Sequence, residues 1–316
     1  MCKVLEQDSI HYITKATQAH NMDNISRTNA YQKFYLDYPE IKWAFVASLV
    51  SRNAGWNMTD LHLAPYKNIL GSRERNRLFM TYERANWLIF SDAYPQLLIY
   101  KMSSKQSKPL FHLLKFFNVS LFIIREWHYF WKTKNKERLM TALIINEQNI
   151  IQNSVIKQSF FEFNVFRKLP YLMQNFINMN AVIIPTRDDR LYGSFVHNFT
   201  NVTNRITLGK NIATIIYTPN IYQKTLDFAI KVEHTGSRRD YERFLKGKFP
   251  PSPLLRSVYP VIQHQDIVRN DWYRLGGIKK KWQQNKLTLK EIEIKNSFYR
   301  KRKMLYAYYH FRNVFM

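Results

Sequence analysis

IKWAFVASLVSRNAGWNMTDL, residues 41–61, is the stretch that decides how this chain is read. Trp43, Val46, Ala47 and Val50 fall at i, i+3, i+4 and i+7, the spacing that puts side chains on one face of an α-helix. Pro39 precedes the run, and Gly55 is expected to close it. The apolar stripe then gives way to Ser51-Arg52-Asn53-Ala54-Gly55-Trp56-Asn57-Met58-Thr59-Asp60, a polar and aromatic cluster that packing alone does not require. The expectation is a polar helix end held close to a core. It is the best site candidate in the chain, although it names no reaction.

Outward from that segment the pattern stays helical, and the fold class expected is all-α, about nine or ten helices with little sign of alternating strands. A helix is expected to start at a Ser72 cap and carry Leu78, Phe79, Tyr82, Asn86, Ile89 and Phe90 on one face, with Pro95 opening a separate short one. Residues 109–131 read as one amphipathic helix, residues 136–156 as another, and Phe195, Phe199, Val202 and Ile206 as the start of a third. Pro219 begins a helix that runs to about Glu233. Ile183–Arg190 reads as a loop, so an internal boundary of the body is expected near 185–191. Pro250, Pro251 and Pro253 force an extended segment. The division expected is a helical body over 1–273 and a basic, aromatic helical tail over 274–316.

Composition narrows the class. At 316 residues, with 46% hydrophobic and 16% aromatic residues, the chain can bury a large core. Its single cysteine, Cys2, excludes an internal disulfide and points to a reducing, cytoplasmic compartment. Glu6, Asp8 and His11 interrupt any signal-peptide pattern, and no apolar run approaches the roughly 20 residues of a membrane-spanning helix. Forty-eight Lys and Arg against 23 Asp and Glu give a net charge of +25, attractive to nucleic acid or another polyanion. A composition rich in Asn, Ile and Lys from an A/T-biased genome would produce the same excess without a partner.

The tail concentrates that charge, with twelve Lys or Arg against Glu291 and Glu293. Lys279, Lys280, Lys281, Arg300, Lys301, Arg302 and Lys303 are interleaved with Trp282, Phe298, Tyr299, Tyr306, Tyr308, Tyr309 and Phe311, the mixture of cations and stacking rings that single-stranded nucleic acid favours. The alternative is an amphipathic terminal helix whose rings dock on the body and whose charges form a solvated face.

Polar residues that interrupt apolar stripes are the remaining candidates, because a buried polar group must find a partner. Glu147 shares a face with Leu143 and Ile151, where desolvation would raise its pKa unless an Arg held it in an ion pair. Asn86 stands on the apolar face between Tyr82 and Ile89, and Glu83, Arg84 and Asp92 could meet Arg52 and Asp60 across a helix interface. Glu147, Asp92 and His234 are the catalytic candidates, and Arg52, Asn53, Asp60, Asn86, Ser237 and Arg238 the ligand-binding ones. In His234-Thr235-Gly236-Ser237-Arg238-Arg239-Asp240-Tyr241 a glycine turn before two Arg could cradle an anion, or could be a helix cap. The nine histidines show no HExxH and no i, i+4 pair, so no metal site is expected, although His62, His197 and His234 could converge in space. The absence of GxGxxG, Walker and GxSxG motifs gives no support to a cofactor.

Taken in order, SRNAGWNMTDL, ERANWLIFSDAYPQLLIY, LIINEQN and HTGSRRDY make the chain resemble the YppC-like family of uncharacterised proteins from Bacillus and its relatives. The blocks span most of residues 10–275. The resemblance implies a cytosolic bacterial protein and brings no activity, cofactor or catalytic residue with it. Glu242 stands where a second aromatic is expected after Tyr241, and the tail is more basic than the family pattern, so no tail function is implied. Three readings remain: a helical protein that binds a polyanion, an enzyme of unknown reaction, and a structural partner in an assembly. The enzyme reading requires Arg52, Asn53, Asp60, Asn86, Asp92, Glu147 and His234 to line one cavity.

Overall fold

The computed structural model describes residues 2–158, 179–195, 198–246, 249–265, 269–274, 277–284 and 292–315. His197 and Glu291, used in the sequence reading, lie outside them. The described residues are mainly α-helical, as expected, with one small sheet. In chain order the helices are α1 (Cys2–His20), α2 (Asn24–Asp37), α3 (Lys42–Asp60), α4 (Ala64–Ile69), α5 (Ser72–Gln106), α6 (Leu121–Thr133) and α7 (Lys136–Ile151). After the hairpin of β1 (Ala181–Pro185) and β2 (Leu191–Phe195) come α8 (Val202–Ile216), α9 (Pro219–Lys231), α10 (Arg239–Glu242), α11 (Leu255–Val258), α12 (Lys280–Gln283) and α13 (Lys295–Phe315).

α3 does not end at Gly55. It continues to Asp60, so the polar cluster is the interior of a buried helix. Gly55 serves close packing: a Cβ there would lie 2.4 Å from Asn24 Oδ1 and 3.1 Å from the His234 ring. Val50 is 37% exposed, whereas Leu49 beside it is 1% exposed and Asn53 one turn on is 4% exposed.

Other boundaries also differ from the sequence reading, each for a local reason. Pro95 lies inside the single helix α5; the hydrogen bond a proline removes is offset where Phe90, Tyr94, Leu97 and Ile99 bury both halves in one core. The helix expected over 109–131 is broken. A 3₁₀ turn at Phe111–Phe117 ends at Asn118 with φ 54°, and Ser120 caps α6 by accepting the Ile123 amide. α7 runs on into a π-helical turn, Gln152–Ile156. The stretch read as a loop is the second half of β1 and the turn of an antiparallel hairpin pairing Ala181 with Phe195 and Pro185 with Leu191, and Phe195 belongs to β2 rather than α8. Short strands of this kind carry too few residues for their period to stand out. Asn53 holds the hairpin to α3, accepting the Ile183 amide at 3.0 Å and donating to the Ala181 carbonyl at 3.1 Å.

The tail docks on the body. Phe298 and Leu305 are fully buried on α13, Phe249 packs against Tyr299 and Tyr306, and the Ile294 amide donates to the Leu191 carbonyl. The Pro250–Pro253 segment is free of helix, as its prolines require. No helix among the described residues is long and apolar enough to cross a membrane.

Replacing glycine by alanine inside a helix ordinarily stabilises it by about 1 kcal/mol. At Gly55 the added methyl must push Asn24 off its bonds to the Ser51 carbonyl and hydroxyl. Gly55→Ala is expected to destabilise the protein by about 1–2 kcal/mol in urea unfolding; a stabilised variant would refute this packing.

Candidate functional site

α3 separates two polar environments. Against one face lies the segment from His234 to Tyr241, which follows α9 and runs into α10. Gly236 turns it with φ 73°, and its carbonyl accepts from the Thr59 hydroxyl at 2.7 Å. Arg238 then points inward: Nε donates to Asp60 Oδ2 at 2.6 Å, Nη2 to Asn57 Oδ1 at 3.0 Å and Nη1 to the Tyr241 hydroxyl at 2.7 Å. Burial opposes the Arg238 charge, but Asp60 beside it holds the guanidinium well above its usual pKa. Arg302 of α13 approaches the same carboxylate at 3.7 Å and Glu242 at 3.6 Å.

One turn back along α3, Trp56 Nε1 donates to Asp240 Oδ2 at 3.0 Å, and Thr235 donates to both Asp240 oxygens from its amide and hydroxyl. His234 stands between Asp240 and Asn24. Asn24 gives its amide hydrogens to Ser51, so its oxygen accepts, and the 2.8 Å contact from His234 Nε2 takes the ring proton. Nδ1 is left 3.3 Å from Asp240. Burial pushes the His234 pKa down to about 4 against the pull of Asp240, leaving the ring neutral at pH 7. Arg52 donates to the Val232 and Ala229 carbonyls at the end of α9 and to Gln32. The bonds from Thr59, Trp56, Arg238, His234 and Arg52 tie α2, α3 and the end of α9 to this segment.

On the other side of α3 is a cavity of about 210 Å³ walled by α3, α5, α7 with its π turn, the start of β1 and α8. Asn53, Asn57, Asn86, Glu147 and Arg205 line it among apolar side chains. Glu147 accepts from Trp43 Nε1 at 3.1 Å on one oxygen and from Gln148 Nε2 at 3.0 Å on the other. No cation among the described residues pairs with it, contrary to the Arg partner that an ion-pair reading supposes. Burial therefore raises its pKa from 4.5 to about 7, opposed only by those two hydrogen bonds.

The seven residues required in one cavity are thus divided. Asn53, Asn86 and Glu147 line it; Arg52, Asp60 and His234 lie in the network behind α3. Asp92 belongs to a third group, accepting from Gln96 at 2.6 Å and Asn146 at 2.7 Å beneath α6. Glu83 pairs with Arg27 at 2.5 Å, so it does not meet Arg52 or Asp60, and Arg84 donates to the Gln265 carbonyl. Asn86 donates within its own helix, to the Tyr82 carbonyl, and does not bridge helices through that amide. Ser237 donates to the Ser252 carbonyl and accepts the Arg239 amide, so with Arg238 turned to Asp60 the glycine turn is a capped joint and not an open anion cradle. Arg302 was expected among solvated tail cations; it is 3% exposed because it sits four residues after Phe298 and three before Leu305, on the docked face. That spacing was the available signal. Nothing comparable marked Arg27 or Trp43 as partners of Glu83 and Glu147, since those pairs join distant helices. Among the described residues no group of His, Cys, Asp and Glu is placed to hold a metal.

Asp60→Asn leaves Arg238 and Arg302 buried beside a neutral amide and is expected to cost about 3–5 kcal/mol in guanidinium unfolding. Glu147 has the opposite sign. Its folded pKa, about 7, lies above the ordinary 4.5, so the folded state binds more protons between these values and stability falls as pH rises through that window. Glu147→Gln is therefore expected to be more stable than the parent at pH 8 by about 1–3 kcal/mol, with little difference at pH 4.5. Urea unfolding at both pH values checks it, and an equal offset at the two would contradict the assignment.

With this geometry in view, the comparisons with known proteins bear on the whole chain. Residues 19–304 match a family model described as a protein of unknown function, DUF2515. The chain is also 45% identical over 296 residues to the uncharacterized protein YppC of Bacillus subtilis (strain 168), covering 93% of this chain and 92% of that protein. No solved structure matches. Both the polar joint behind α3 and the cavity in front of it fall inside the matched span, and the chain belongs to the DUF2515 family of proteins of unknown function.

Proposed function

We propose that the protein binds a polyanion, single-stranded nucleic acid in the first instance, through cations displayed on the C-terminal part of its surface, in a reducing cytoplasm. The distribution of charge carries this reading. Among the described residues, the buried acids Asp23, Asp60, Glu83, Asp92, Glu126 and Asp240 are matched in number by the buried bases Arg27, Arg52, Arg205, Lys210, Arg238 and Arg302. The net charge of +25 therefore lies entirely outside that buried set.

Lys279, Lys280 and Lys281 are exposed on a segment pinned by buried Trp282, whose indole donates to Thr203 and whose carbonyl accepts from Lys210. Arg300 and Lys303 are exposed on α13, and none of these five has an acid within ion-pair distance among the described residues. Lys301 lies over the Phe195 ring, 3.8 Å from its centroid, and Arg302 is consumed internally. Tyr308 and Phe311 are 41% and 59% exposed on the same helix.

Binding of a fluorescent oligo(dT) across a salt series tests this. The parent is expected to bind at low ionic strength with a steep salt dependence. Changing Lys279, Lys280, Lys281, Arg300 and Lys303 to Gln should reduce the slope by about 0.7 for each phosphate that is no longer neutralised. No binding at low salt, or an unchanged slope in the variant, overturns the proposal; retention on anionic vesicles alone would replace nucleic acid by a lipid surface.

A further inference from the structure

The cavity in front of α3 has properties that surface charge does not explain. Its walls are largely apolar, and several of the polar groups on them bond within the protein. Asn53 holds the hairpin, Asn57 accepts from Arg238, and Asn86 donates to its own helix. Arg205 donates to the Gln148 side chain and carbonyl, to Gln152 and to the Phe199 carbonyl. Glu147 is the one acidic side chain on the described wall, and each of its carboxylate oxygens, able to accept two hydrogen bonds, here has one.

Two independent features mark the space as accessible and built. Val50 is the exposed position within the otherwise buried stretch from Trp43 to Asp60, and it lines this cavity. The adjoining wall carries the π turn Gln152–Ile156 at the end of α7, with Val155 and Ile156 lining the same space; π geometry of this kind is rare and recurs at functional sites.

We propose that this cavity binds a small apolar molecule carrying an amine, with the ammonium group against the Glu147 carboxylate and the hydrocarbon among Val50, Ile89, Ile151 and Ile212. An ionised carboxylate is acceptor-only, so the ligand must donate, and a carboxylic or phosphoric acid would meet like charge. An alcohol donates one hydrogen bond and leaves the buried charge uncompensated; an ammonium donates three and neutralises it. Because burial holds Glu147 near half-protonation at neutral pH, the amine can also enter uncharged and take the carboxyl proton, giving the same ion pair. The other ionisable groups around it are Tyr82 of α5 and Arg205 of α8 on the walls and Tyr31 of α2, whose charge couples to Glu147.

Isothermal titration with hexylamine, 2-phenylethylamine and 1-hexanol tests the proposal on the full chain. The amines are expected to bind in the micromolar to millimolar range, more tightly than the alcohol, with affinity rising about tenfold per pH unit up to pH 7 and level above it. Glu147→Gln should weaken the amines by about 30-fold or more, leave the alcohol within about twofold, and remove the pH dependence. Val50→Phe, which fills the space, should abolish binding of all three while thermal unfolding remains cooperative. Absence of amine binding at 10 mM (about the weakest useful limit for so small a ligand), an unchanged amine affinity in Glu147→Gln, or full binding in Val50→Phe each overturns it.

Discussion

Asp60 receives Arg238 at 2.6 Å at the end of a helix whose second half is polar and almost wholly buried, and the architecture around α3 follows from that requirement. A polar group taken out of water has to be met by a partner of matching chemistry. α3 takes these partners from every direction: Asn24 and Thr28 from α2, the Ala229 and Val232 carbonyls from the end of α9, the hairpin backbone at Asn53, and Arg238 and Gly236 from the joint before α10. Such a set fixes geometry more than it adds stability, because the desolvation of Asp60 and Arg238 consumes much of their attraction. Gly55 fits the same logic, since the His234 to Asn24 bond crosses the helix where only a hydrogen leaves room.

The opposite face of α3 is built on a different balance. Trp43 and Gln148 satisfy the carboxylate of Glu147 in part, and no cation among the described residues offsets its burial. A group that penalises the folded state near neutral pH, in a cavity wall made partly from a π turn, is the pattern by which proteins exchange stability for a site. Asp92 shows the contrast. It is at least as deeply buried, yet it has a cation, Arg269, 3.9 Å from one oxygen, Gln96 and Asn146 donate to the other, and Ser120, Trp127 and Trp272 close the network around those amides.

Charge divides in the same manner between interior and surface. Among the described residues the buried bases and acids match in number, and some join helices far apart in sequence, as in Arg27 with Glu83 and Arg302 with Asp60. The surplus outside gives a long-range field and says nothing about fold. The tail belongs to both regimes: Phe298, Arg302 and Leu305 dock one face of α13, and Arg300 and Lys303 remain in water.

The residues themselves determined that the chain is mainly helical, that Glu147 lies on an apolar face, and that segments 51–60 and 234–241 carry polar groups needing partners, because period and burial are local properties. Helix ends were less legible. Gly55 and Pro95 carry the usual marks of a boundary, and both lie inside helices because packing outweighs propensities of about 1 and 3 kcal/mol. Which polar groups meet was decided only in three dimensions. Asp60 chose Arg238 over the charges of α5, Glu147 received a tryptophan instead of an arginine, and the blocks expected to converge were sorted to opposite faces of α3. Partnerships between side chains more than a hundred positions apart depend on how helices pack, and no spacing along one chain records that.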